Sequence, residues 1–123
     1  MTAGRVDTAR TGRWLAAAGA LCAGLAVAMA AYASHAADAT AQGWLQTAAV
    51  FAFGHGVAMA ALAPVPARKL RRLALWLAFA GMLLFSGSLA GAALAGWPTA
   101  LAPLGGSLMI LGWLLLACDQ LRD

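Results

Sequence analysis

Few side chains in this sequence could do chemistry in an apolar setting. They are His35 and His55, the thiols Cys22 and Cys118, and the hydroxyls of Thr47, Ser86, Ser88 and Ser107. An imidazole can ligate a metal or relay a proton, and a thiol can act as nucleophile, ligand or half of a disulfide. The spacing assembles none of these. No CxxC or HExxH pattern occurs, and the apolar runs hold neither a carboxylate pair nor an acid to orient a histidine base. Cys22 falls within the first apolar run and Cys118 at the inner end of the last. Their depths then differ by roughly 12 Å at ~1.5 Å of rise per residue, too far for a disulfide. The expectation is a chain that is not an enzyme, with no catalytic residues, no metal site and no cofactor. What remains is a candidate polar cluster: His35, Thr47, Ser86, Ser88 and Ser107 at similar depths in one half of the molecule, and His55 deeper. It either lines a shallow pocket or bonds helix to helix.

The elements that must position these groups are set by hydropathy. Arg68, Lys69, Arg71 and Arg72 precede 24 residues, Leu73–Gly96, without a formal charge; about 20 apolar residues suffice to cross a bilayer. Lys and Arg resist translocation, which puts the start of this span on the cytoplasmic side. The same reasoning, applied along the chain, predicts spans over 14–34, 44–63, 73–96 and 99–118. A cytoplasmic tail of residues 1–13 precedes them and a cytoplasmic tail of residues 119–123 follows. Trp14, Trp44, Trp76 and Trp97 fall near span ends, where indoles favour the interface. Pro64 and Pro66 stop the second span, and the loop around Asp38 carries no Lys or Arg. One alternative keeps three spans: the basic start, the first apolar run and the triplet Ala31, Tyr32, Ala33 also fit a cleaved signal peptide.

Composition agrees. At 123 residues, 63% hydrophobic and 10% charged, the chain has more apolar surface than a small soluble core can bury. The net charge of +4 comes from eight basic residues at the ends of apolar runs. They read as topogenic charges, and no nucleic-acid partner is expected.

Small residues suggest how the spans pack. Ala20, Gly24, Ala28, Ala31 and His35 share one face of the first span. Gly81 and Ser88 share a face of the third, Gly87 and Gly91 form a GxxxG beside it, and Gly105 and Gly112 mark the fourth. The expected helix-packing set is Gly24, Gly81, Gly87, Gly91, Gly105 and Gly112, with the third span at the centre. His55, about 16 Å from Trp44 by helical rise, sits near the midplane, where a charged ring would have no acidic partner. It is expected neutral and bridging helices, and Ser86 and Ser88 can each bond back to the carbonyl four residues earlier.

The segments AYASHAAD, WLQTAAVFAFGHGVAM, LLFSGSLAG and APLGGSLMILGW, in this order, resemble the signatures of the YgdD-like (YwdK-like) bacterial inner-membrane proteins of unknown function, related to the transmembrane protein 256 group. The resemblance runs from about Gly19 to Leu116. It implies a four-helix membrane protein with one histidine closing the first span, matched by His35, and one within the second, matched by His55. The blocks Phe85 to Ser88 and Pro103 to Gly106 match as well. Ala31, Tyr32, Ala33 and Ser34 depart from the family's glycine-rich approach to the first histidine, Phe51 and Phe53 from its tyrosine-bearing second span, and Ala102 from its threonine before proline. The family supplies no reaction.

The sequence thus predicts an all-α integral membrane protein, an up-down bundle of four helices in a bacterial inner membrane, with both termini cytoplasmic. The leading function is non-enzymatic packing with membrane lipid, with itself as a homo-oligomer, or with another membrane protein. The alternative is a small oligomeric carrier or channel using His55 and the serines.

Overall fold

A backbone in lipid must satisfy its own polar groups, and a helix does so within one segment. The computed structural model describes residues 2–36 and 38–122. Met1, Ala37 and Asp123, which belong to the expected first tail, first loop and last tail, lie outside the described residues. Among the described residues four helices form: α1 (Thr2–Ala33), α2 (Ala39–Leu62), α3 (Lys69–Ala95) and α4 (Ala102–Gln120). All four are long and apolar enough to cross a membrane. The protein is a multi-pass membrane protein with an all-α, four-helix fold.

Helix ends depart from the expected spans for local reasons. α2 begins at Ala39 instead of residue 44, because the Asp38 carboxylate accepts the backbone N–H of Ala41 at 3.0 Å and that of Thr40 at 3.4 Å. Such an N-cap satisfies donors that the first turn otherwise leaves orphaned. α3 stops at Gly96, whose φ of 69° is left-handed; its N–H bonds the Ala92 carbonyl and the Trp97 N–H bonds that of Gly91. The amino-terminal stretch expected as a tail continues the first helix back to Thr2. At the other end α4 runs through Gln120, so Asp119, expected in a tail, lies in its last turn and is buried.

Close packing follows chain order, α1 on α2, α2 on α3 and α3 on α4, with every other pairing at most marginal. Glycines mark the tightest approaches. A Cβ on Gly19 would lie 2.6 Å from the Gly56 carbonyl oxygen, and one on Gly56 would collide with the Gly19 carbonyl. On the second seam a Cβ at Gly81 would lie 2.6 Å from the Gly105 oxygen, one at Gly105 2.5 Å from the Phe85 nitrogen, and one at Gly112 2.7 Å from the Ala78 nitrogen. Lipid supplies no hydrophobic drive between helices, so this backbone proximity and its dispersion contacts hold the pairs together. Leu45, Met59 and Met82 fill the fully enclosed positions around an alanine-rich core.

Three expected packing glycines behave otherwise. Gly24 and Gly87 face open space, with nothing within 4 Å of an added Cβ, and Gly91 makes room for the indole of Trp97 from its own loop. On α1 the buried positions are Leu15, Gly19, Ala26 and Ala33, whereas Ala20, Gly24, Ala28, Ala31 and His35 are exposed. That helix is small-sided on more than one face, and the side that seats on α2 is the one where Gly19 meets Gly56.

Candidate functional site

Each polar side chain inside the bundle is held by a particular helix neighbour. His55 projects from the second half of α2 and is buried. Its Nδ1 lies 2.9 Å from the carbonyl of Phe51, one turn back, and Nε2 lies 2.9 Å from Nε1 of Trp113 on α4. An indole N–H can only donate, so Nε2 must be the acceptor and Nδ1 the protonated nitrogen. Both nitrogens of a neutral ring are thereby engaged. The rings pack as well as bond: His55 and Trp113 meet edge-on with centroids 5.6 Å apart, and Phe51 meets Phe85 of α3 at 4.7 Å. This group ties α2, α3 and α4 together, bridging α2 and α4 where their backbones are not close neighbours.

Ser86 of α3 donates across the helix pair to the Ala48 carbonyl of α2 at 2.9 Å, instead of bonding back along its own helix. Ser88 points to the Pro98 carbonyl in the α3–α4 loop at 3.5 Å, again away from its own helix. Ser107 donates to the Pro103 carbonyl one turn earlier on α4 and is exposed. Thr47 is exposed on α2, and His35 is exposed in the turn after α1, where its backbone N–H bonds the Tyr32 carbonyl. Three surface concavities among the described residues are lined by none of these six. The side chains of His55, Ser86, Ser88 and Ser107 are directed at separate partners, and those of Thr47 and His35 are exposed, so among the described residues the six do not converge. Among the described residues no group of three His, Cys, Asp or Glu side chains is placed to hold a metal, and Cys22 and Cys118 are free thiols.

Two participants escaped sequence reasoning. Trp113 is one; its signal was position, since a tryptophan in the middle of a span is far from the interface its ring prefers and its N–H then needs a partner. The other is Asp119, buried at the end of α4 with Oδ1 enclosed and without a hydrogen-bond partner among the described residues, while Arg71 Nε is similarly enclosed in the first turn of α3. Both lie at the basic end of the molecule.

A family model described as a protein of unknown function, DUF423, matches residues 29–106. That is more than half of the chain. The protein belongs to this family. The matched segment contains all of α2 and α3, and with them His55, Ser86 and Ser88. It ends before Trp113 and Ser107. No curated protein matches the chain significantly, and neither does any solved structure.

Proposed function

We propose that this protein is a non-enzymatic component of a bacterial inner membrane that works by association. It packs with lipid, with a second copy of itself or with another membrane protein, and both termini face the cytoplasm. Within its family it is best placed among the YgdD-like (YwdK-like) members related to the transmembrane protein 256 group, on the segments around His35, His55, Ser86 and Pro103.

One observation carries the reading: the buried imidazole and serine hydroxyls are directed at internal partners, whereas large apolar side chains face outward. His55 uses both ring nitrogens, and Ser86 and Ser88 are aimed at internal carbonyls. Outward, Leu21 and Leu25 of α1, Val50 and Phe53 of α2, Leu83 of α3 and Ile110 of α4 are exposed. A solute pathway needs polar groups free to exchange partners, and a catalyst needs them convergent.

Liposomes reconstituted with the purified protein should show no flux of protons or small solutes above protein-free controls. Flux that disappears in His55→Asn, with the helices intact, would replace this reading with a carrier or channel. Reporter fusions after Asp38 and Pro98 should read periplasmic, and one after Ala67 cytoplasmic; the reverse pattern would overturn the orientation.

A further inference from the structure

α1 outlasts its partner helix. Gly12 meets the carbonyl of Ala63 just past the end of α2, and the connection that follows, from Ala63 through Pro64 and Pro66 to Ala67, lines the space between α1 and α3. Nothing from α2 fills the space between the first turns of α1 and the start of α3. That space is a groove of about 460 Å³. Leu15 of α1 with Leu75 and Trp76 of α3 supply apolar lining, Arg5 comes from α1 and Arg72 from α3, and among the described residues no carboxylate lines it. Thr8 and Thr11 also reach the groove, but their hydroxyls donate to the carbonyls of Arg5 and Asp7 at 3.0 Å and 2.9 Å. Arg5 and Arg72 are the charged residues of the lining among the described residues. Arg72 lies about one helical turn, ~5 Å, from Leu75 and Trp76, and the exposed rings of Trp14 and Trp76 suit the headgroup level of a bilayer.

We infer that this groove binds an anionic phospholipid, its phosphodiester between Arg5 and Arg72 and an acyl chain along Leu15, Leu75 and Trp76. Two guanidinium forks match phosphate oxygens, and the apolar lining matches the chain. A soluble phosphate compound would leave that lining in water, and a purely apolar ligand would leave two cations unpaired. The inference rests on the associative reading above and gives it a site and a lipid class.

The test exchanges the intact purified protein into micelles containing equimolar dioleoyl phosphatidylglycerol and dioleoyl phosphatidylcholine, and reads retained lipid by native mass spectrometry. The wild type should retain phosphatidylglycerol preferentially, and Arg5→Gln with Arg72→Gln should reduce that preference about tenfold, as two lost charge-assisted contacts imply. Arg68→Gln with Lys69→Gln removes the same charge from outside the groove and should keep most of the preference. Equal loss in both pairs would mean diffuse attraction and overturn the site. Arg5 is exposed on the overhanging turns, so Arg5→Gln alone should leave helix content unchanged and still lower the preference; an unchanged ratio there would also overturn it. Added glycerol phosphate should not displace the lipid. Displacement would assign the groove to a soluble phosphate compound instead. Failure of these arms would leave the associative reading standing, because that reading falls only if liposome flux appears.

Discussion

Gly81 and Gly87 lie six residues apart inside α3, and the same substitution at each should move stability in opposite directions. A Cβ at Gly81 would stand 2.6 Å from the Gly105 oxygen, 2.7 Å from the Met109 nitrogen and 2.9 Å from the Leu108 Cβ. Ordinary contact begins at 3.4 Å, so the shortfall is about 0.8 Å, and two of the three obstructing atoms are backbone that cannot rotate away. Gly81→Ala must therefore part α3 from α4, an overpacking cost of about 1–3 kcal/mol. At Gly87 the added methyl meets nothing within 4 Å. Gly87→Ala should gain the ~0.5–1 kcal/mol by which alanine exceeds glycine in a helix interior. Both sites are interior to one helix, so that gain cancels in the comparison and the difference of about 1–3 kcal/mol isolates the contact with α4. Reversible unfolding in mixed micelles titrated with dodecyl sulfate, followed by circular dichroism, measures both variants on one axis. Equal stabilities, or a greater loss at Gly87, would refute this assignment of the α3 faces and restore the Gly87–Gly91 face as the packing surface.

Ser86→Ala removes the bond to the Ala48 carbonyl and should cost about 0.6–1.7 kcal/mol in the same assay; Ser107→Ala, exposed and bonded only to its own helix, should stay within about 0.5 kcal/mol. His55→Leu and Trp113→Phe should each destabilise the fold, with the double variant less damaging than their sum by about 1 kcal/mol, because either change alone breaks the same bond. Additive losses would show that the two rings act independently. Asp38→Ala should loosen the start of α2 at a cost of about 1 kcal/mol, read as faster amide hydrogen exchange at Thr40 and Ala41 with the middle of α2 unaffected.

The number of helices and their membrane character were legible in residue order alone, because hydropathy accumulates along a segment whatever it packs against. The stops at Pro64 and Gly96 were local in the same way. Even the helix starts that were misplaced had local causes: Asp38 needs only the N–H groups of its own next turn to begin α2 early. Which small face packs was a different problem. α1 offers Ala20, Gly24 and Ala28 on one side and Gly19, Ala26 and Ala33 on another, nearly alike in size and polarity, and only the approach of Gly19 to Gly56 separates them. The serines show the same division: a hydroxyl can always bond back along its own helix, so Ser86 could reveal its bond to Ala48 only once α2 lay beside it. His55 was visible as an imidazole within an apolar span, but its partner stands 58 residues away on α4. The Arg5 and Arg72 groove likewise exists only because α1 overhangs the end of α2. Properties that sum over neighbouring residues can be read from the chain, whereas a choice between faces of nearly equal composition turns on sub-ångström fit between distant backbones, and that exists only in the folded molecule.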